Sequence, residues 1–320
     1  MMIVLASSKD AVSKAVSYLD KGELVALPTE TVYGLAADAT NGKAVANIFK
    51  SKGRPQFNPL IAHVSGMDMA EDIVEIDEIS KMLMDTFWPG PLTFVLPLKN
   101  ETSIDPLTSA GLKTLAVRNP VGIFATIVKE LGRPVAAPSA NISGRLSSTS
   151  AKDVADMFGE KVPLIIDGGP TRVGVESTII KVVGDHIYLL RPGGLAPEKI
   201  EKRTGLKLER VDQRAAIEAP GMLKSHYAPN AFVRLDAKDV KNDEALLAFG
   251  KQQTINAGSA VAMLNLSEKG NLEEAASNLF HYLKELDRKD VKCIAVEPIP
   301  FTGLGEAIND RLQRAAAPRK

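Results

Sequence analysis

Lys50, Lys52 and Arg54 fall within the run Lys50-Ser51-Lys52-Gly53-Arg54-Pro55, with no acid among them. Cations grouped in this way favour an anionic partner over a solvated face. Two further segments supply the rest of an anion site. Pro28-Thr29-Glu30-Thr31-Val32-Tyr33-Gly34-Leu35 brings hydroxyls, and Pro138-Ser139-Ala140-Asn141-Ile142-Ser143-Gly144 brings a hydroxyl and an amide on backbone that bends at Gly and Pro. Together they give the mixture a polyphosphate asks for. Each segment alone has a plainer account. The threonines suit a capped turn, and lysines in the last turn of a helix suit the negative end of its dipole.

Periodicity predicts the elements that carry these groups. The apolar run 24–27 reads as a buried strand that stops at Pro28 and feeds a polar loop. Ligands sit outside the carboxyl ends of such strands in α/β sheets, so Thr29, Glu30, Thr31 and Tyr33 are expected to project into a crevice. Asn41 opens a helix whose stripe is Ala44, Val45, Ile48 and Phe49 and which ends at Gly53. Pro55 then holds Arg54 in an extended loop. Residues 60–64 predict a short strand ending near His63, and 114–118 another ending in Arg118. A helix is expected over 121–131, closed by Gly132 and Pro134. Small residues at 135–137 lead to Ser139 and Asn141, which offer donors and acceptors. Asp167-Gly168-Gly169 ends a strand, Glu176-Ser177-Thr178 precedes Ile179-Ile180, and the last strand of this region ends in Arg191. Strands ending in Arg118, Ser139 and Arg191 are expected to aim polar groups at one edge of a sheet.

With these residues in place, the chain resembles the YrdC-type threonylcarbamoyl-AMP synthases. PTETVYGL, KGRP with NPLIAHV, WPGPLT, TLAVR, APSANISG, GVESTI and LRPG occur in that family's order over roughly residues 8–200. The family's Lys-x-Arg and Ser-x-Asn hallmarks fall on Lys52, Arg54, Ser139 and Asn141. Ala219-Pro220-Gly221-Met222 with Ser225-His226-Tyr227-Ala228-Pro229 resembles the inter-domain linker of the long, two-domain form. The resemblance implies a YrdC-like twisted mixed α/β sheet with flanking helices. It implies condensation of L-threonine, bicarbonate or CO2 and ATP, with Mg2+, to threonylcarbamoyl-AMP and pyrophosphate. The resemblance further implies that N-carboxy-threonine is the intermediate that attacks the α-phosphate and that a separate transferase then modifies a tRNA adenosine. Adenylyl transfer of this kind rests on positioning and charge stabilisation, which Lys and Arg supply. By the same resemblance, Lys52, Arg54, Ser139 and Asn141 form the catalytic set. Lys50, Arg54, Asn58, Thr114, Ser139, Ser147 and Arg191 lie at ATP. Thr31, His63, Arg118, Ala137 and Ser177 lie at threonine, with Arg118 suited to its carboxylate. Tyr227 would close the linker as a lid that excludes water. Two departures stand out. Pro120-Val121-Gly122-Ile123 replaces the His-Pro of many relatives, and Leu146-Ser147-Ser148-Thr149 replaces their Ser-Pro-Thr while keeping a hydroxyl at Ser147.

The 320 residues suffice for two domains. The expected division is a catalytic domain at 1–208, a linker and lid at 209–230 and a Rossmann-like parallel α/β accessory domain at 231–320. In the last of these, strands are expected over 232–235, 261–266 and 294–299. Helices are expected over 243–249 and 303–316, with a long one through Leu272, Ala275, Ala276, Leu279, Leu283 and Leu286. It lacks a GxGxxG loop, so it need not bind a dinucleotide. A hydrophobic content of 45% indicates a soluble globular chain. Lys and Arg equal Asp and Glu at 39 each, which argues against a dedicated nucleic-acid binder while allowing a weak RNA contact. The single cysteine, Cys293, reads as an inert thiol and fits a reducing cytoplasm. No Cys/His cluster has zinc spacing, no apolar run reaches membrane-spanning length, and residues 1–5 are too short for the core of a signal peptide. Three other readings share some of these residues. A carbamoyl-adenylate former of hydrogenase maturation would carry acylphosphatase-like and zinc-finger segments, which are absent. An RNA-binding module would use the basic surface without chemistry, against the balanced charge and 5% aromatic content. A threonine or nucleotide sensor would have no need of Lys52, Arg54, Ser139 and Asn141 as a complete set.

Overall fold

The computed structural model describes residues 1–211, 219–220, 226–251 and 254–318. Among them, eleven strands form one twisted mixed sheet. From edge to edge they are Met2–Leu5, Leu164–Asp167, Val25–Leu27, Gly34–Asp38, Val135–Ala136, Ile61–His63, Thr114–Arg118, Leu92–Pro97, Thr178–Val183, His186–Arg191 and Leu208–Arg210. Ile61 pairs with Ala116 and His63 with Arg118 in parallel register, while Ala62 faces Ala136 on an antiparallel neighbour.

Side chains alternate along a strand, so each face has its own cover. On one face, Leu35, Ala37, Ala62, Phe94, Val117 and Ile180 meet helices Gly42–Lys52, Glu78–Phe87 and Ala151–Phe158 in the main core. On the other, Val25, Leu27, Ala36, Val135 and Ile166 meet helices Ala11–Asp20 and Ile123–Leu131. These two helices cover only part of their face. Farther along, the same face shows Ile61, Val95, Ala116 and Ile179, and Ala219 of the connecting segment packs on them. Among the described residues, no helix fills this stretch of apolar face.

The helix expected after Asn41 forms as read. The Asn41 side chain accepts from the Lys43 and Ala44 amides, and Gly53 closes the helix at a φ of 60° with its amide on Lys50 and Phe49 carbonyls. That left-handed residue turns the chain so that Lys52 and Arg54 both run inward.

Four parallel strands build the second sheet, in the order Phe232–Arg234, Cys293–Val296, Glu244–Ala248 and Met263–Asn265. Helices Leu272–Leu286 and Leu304–Ala316 pack on it through Ala275, Leu279, Leu283, Ile308 and Leu312. The helix expected over 243–249 is instead the strand Glu244–Ala248. Every residue of that strand is buried, and a short run buried on both sides has no period that separates strand from helix. The Cys293 thiol is pushed up to about 11, first by burial and then by Glu244, as an inert thiol requires. Among the described residues, no helix is long and apolar enough to cross a membrane.

Candidate active site

The stretch of sheet face that no helix fills holds a small cavity of about 40 Å³. Thr31, His63, Arg118, Ala137, Ser139, Ser177 and Arg191 line it together with Arg54, and Pro220, His226 and Tyr227 of the connecting segment form its roof. Most of the residues expected at ATP and threonine therefore meet at one place. The place is a face and not the expected edge. Ile61 and His63 open onto it from the two ends of one strand, because residues two apart share a face, and Arg118 lies level with His63.

Three buried cations, Arg54, Arg118 and Arg191, line this cavity, and a fourth, Lys52, bonds to Ser139 of its wall. Lys52 is 1% exposed and its Nζ donates to the carbonyls of Ser139 and Asn141, both at 2.5 Å. Arg54 donates from Nε to the Asn58 carbonyl at 3.1 Å and from Nη2 to the Pro59 carbonyl at 2.8 Å. Arg191 donates to the Ser177 carbonyl at 2.9 Å and hydroxyl at 3.2 Å, and to the Pro220 carbonyl at 3.3 Å. None of these three forms an ion pair among the described residues. Burial accordingly lowers all three, Arg54 and Arg191 to about 10 and Lys52 well below the ordinary lysine range. Arg118 differs. Its Nη2 meets Glu30 at 2.5 Å, its Nη1 meets the Thr31 hydroxyl at 3.0 Å, and its Nε meets the Gly90 carbonyl at 3.2 Å.

Among the described residues, several buried polar atoms here have no partner: Asn58 Oδ1, His63 Nδ1 and His226 Nδ1. Each is a hydrogen bond left for something else to make. His63 stacks on Phe124 at 4.8 Å and is lowered to about 3, by burial and then by Arg118. It is neutral at working pH and offers a hydrogen bond rather than a charge. His226 is likewise lowered to about 3 by burial. Tyr227 is fully buried, stacks on Phe280 at 5.4 Å, and holds a φ of 59°, unusual for a residue with a bulky side chain.

The remaining expected residues divide. Asn141 donates to the Ile142 and Arg145 carbonyls and accepts from the Ser139 hydroxyl, so it fixes the loop rather than facing the cavity. The Ser147 hydroxyl donates to Glu176 Oε1 at 2.5 Å. Lys50 is exposed on the last turn of its helix, on a different side from Lys52, as residues two apart on a helix must be. Thr114 stands at the opposite end of its strand from Arg118 and pairs with Pro97. Neither is brought into the cavity. Gly221, Met222 and Ser225 lie outside the described residues.

Sequence reasoning placed Glu30 at the crevice without naming its partner and gave no role to Glu176, His226 or Arg311. Glu176 lines the cavity, and its second oxygen accepts from Arg311 Nε at 2.8 Å. Burial pushes its carboxyl up, yet Arg311, Arg191 and the Ser147 hydroxyl together hold it down at about 2. One signal was available: Arg311 falls within the apolar stripe Ala307, Ile308, Leu312 and Ala315 of the last helix, where a charge needs a buried partner.

Fold and site together define an α/β protein whose sheet carries a roofed, cation-rich pocket. Residues 17–193 match the sequence profile of the Sua5–YciO–YrdC family, described as telomere recombination, and residues 195–317 match the threonylcarbamoyl-AMP synthase C-terminal domain. The chain is 44% identical to a threonylcarbamoyl-AMP synthase of Pyrococcus abyssi, covering 95% of this chain and 94% of that one. It is 38% identical to that of Bacillus subtilis, covering 98% and 95%. Its structure matches the crystal structure of P. abyssi Sua5 complexed with L-threonine with a TM-score of 0.87, at 38% identity over 99% of this chain and 98% of that one. The chain belongs to the YrdC-type threonylcarbamoyl-AMP synthase family, in the long form with a C-terminal domain.

Proposed function

We propose that this protein is a cytoplasmic nucleotidyltransferase that makes threonylcarbamoyl-AMP from L-threonine, bicarbonate or CO2 and ATP, releasing pyrophosphate. The observation that carries this reading is the set Lys52, Arg54 and Arg191, buried and bonded only to carbonyl and hydroxyl oxygens. Buried cations are costly without a counter-charge, and a triphosphate supplies one. The names of the relatives and the L-threonine complex of one of them support the same reaction.

In this scheme the threonine nitrogen bonds to the carbon of CO2 and loses a proton, giving N-carboxy-threonine. A carbamate oxygen then attacks the α-phosphorus, the α–β bridging bond breaks, and pyrophosphate leaves. Lys52, Arg54 and Arg191 hold the charge that grows on the departing oxygens. Arg118, already aimed by Glu30, presents its fork to the threonine carboxylate beside Thr31 and Ser177. His63, held neutral, serves as a hydrogen-bonding wall and is a poor proton acceptor. Among the described residues, no group of three or more His, Cys, Asp or Glu could hold a metal. In this reading Mg2+ would enter with ATP and supply charge stabilisation to its phosphates.

The cavity of about 40 Å³ is far below the roughly 300 Å³ at which ligand pockets begin. The roof of Pro220, His226 and Tyr227 must withdraw to admit substrates and close over them, so Tyr227 acts as a lid. The same reading divides the chain into a catalytic domain at 1–208, a linker at 209–230 and an accessory domain at 231–320. Its product passes to a tRNA-modifying transferase.

The test is pyrophosphate release from ATP and bicarbonate with L-threonine, L-serine, L-alanine or no amino acid. Strong stimulation by threonine alone is expected. Release indifferent to every amino acid would sink the assignment.

A further inference from the structure

The second domain grips the loops that carry the site. Gly174 has a φ of 75°, and a Cβ built on it would lie 2.3 Å from the Ala276 carbonyl oxygen. Loop and helix therefore touch backbone to backbone, and only glycine fits. Val32, Leu146 and Val175, from three different site loops, share an apolar cluster with Leu279, Leu283 and Leu312 of the second domain. Each is the chain neighbour of a site residue: Thr31, Ser147 and Glu176 respectively.

Arg311 is the polar centre of this junction and is 0% exposed. Its Nε donates to Glu176 Oε2 at 2.8 Å, and its Nη1 donates to the Pro192 carbonyl at 2.8 Å and to Asp310 Oδ2 at 2.7 Å. Its guanidinium lies 5.2 Å from the centre of the Tyr227 ring. The other oxygen of Glu176 accepts from the Ser147 hydroxyl at 2.5 Å. A continuous chain of charge and hydrogen bond thus runs from the last helix, through Glu176, to the loop expected at ATP.

We propose that Arg311 is a positioning residue of the nucleotide site. By neutralising Glu176 and holding its Oε2 while Oε1 accepts from Ser147, it keeps a carboxylate from competing with ATP for Lys52, Arg54 and Arg191 and keeps the Ser147 hydroxyl in place. The second domain is then part of the ATP site and not an appendage to it. This rests on the reading that ATP is the substrate. Without Arg311, a bare carboxylate faces the incoming phosphates and draws the neighbouring cations to itself. ATP binding suffers most, because threonine meets Arg118, whose acid partner is Glu30.

The experiment uses the full chain with Arg311→Met, Arg311→Lys, Glu176→Gln and the Glu176→Gln/Arg311→Met double variant. KM for ATP and for threonine is measured by pyrophosphate release, and binding of a non-hydrolysable ATP analogue by calorimetry. Arg311→Met is expected to raise the KM for ATP by about tenfold or more, as loss of one partner of a buried charge pair does. The KM for threonine is expected to stay within about threefold. Removing the orphaned charge in the double variant should restore much of the ATP affinity, a rescue confined to ATP that general loosening of the fold would not give. Arg311→Lys keeps the charge and loses the planar fork, so it should fall between. If Arg311→Met does not fold, Arg311→Lys and the double variant carry the test. Unchanged ATP affinity, equal losses for ATP and threonine, or a double variant no better than the single one would each overturn the proposal. A wild type that binds no nucleotide would overturn the substrate reading and this inference together, whereas an active wild type with indifferent Arg311 variants overturns this inference alone.

Discussion

The cavity on the large sheet measures about 40 Å³, while a cleft at the carboxyl edge of the second sheet measures about 580 Å³. The larger one occupies the position where parallel sheets usually hold ligands. Its buried acid, Glu297, accepts from the Phe249 and Thr254 amides at 2.9 and 3.1 Å and from the Thr254 hydroxyl. That carboxylate ties strand ends together. In and beside the smaller cavity, Lys52, Arg54 and Arg191 form no ion pair among the described residues, and Asn58, His63 and His226 each leave a buried atom without a hydrogen bond there. On the proposed function, unmet charge and unmade hydrogen bonds mark the site, and volume does not, because the roof would fill the space that substrates take.

The comparison breaks most decisively at Arg54. Arg54→Ala should lower pyrophosphate release by about 100- to 1000-fold, the scale of losing one charge-stabilising group. Thermal stability should hold or rise, since the cation removed had no acid partner. Near-normal turnover would mean that its unmet charge has no catalytic meaning.

Acid should expose the next difference. His63 and His226 are lowered to about 3 against an ordinary 6.5, so the unfolded chain takes up protons first. Stability conferred by the two neutral rings is full above pH 6.5 and is lost as pH falls toward 3, at roughly 2–3 kcal/mol per pH unit near pH 5. Glu176, held at about 2 against 4.5, adds stability that is present above 4.5 and is lost only as pH falls through 2. Urea denaturation between pH 7 and 5 should show the histidine slope, and His63→Gln should reduce it. A flat profile would place both rings in contact with water.

The second cleft gives the smallest effect. Glu297→Gln should cost about 1–3 kcal/mol of stability through weakened bonds to Phe249 and Thr254. The KM for ATP should stay within about threefold, a scale separable in kinetic terms from loss of binding. A large change in ATP affinity would instead tie the accessory cleft to the reaction.

Much of this was legible in the chain. The helix 42–52, its Asn41 cap and its Gly53 stop follow from local preferences that neighbouring residues decide. The strands ending at His63 and Arg118 follow from short apolar runs. Lys50 and Thr114, expected at ATP, do not reach the cavity, because Lys50 points to another side of its helix than Lys52 and Thr114 stands at the far end of its strand from Arg118. The second-domain strand Glu244–Ala248 was misread because full burial removes the alternation that marks a strand.

By itself, the sequence determined the identity of the charged and hydroxyl groups, the order of the motifs that carry them and the elements that begin and end beside them. These are local properties, set by side-chain chemistry, capping and periodicity. Only the tertiary structure decided that the site lies on a sheet face left bare by its helices, that Glu30 aims Arg118, and that Arg311 reaches Glu176 across 135 positions of chain. Those pairings join residues far apart in sequence, and burial, which makes such pairs matter, is a property of the packed molecule.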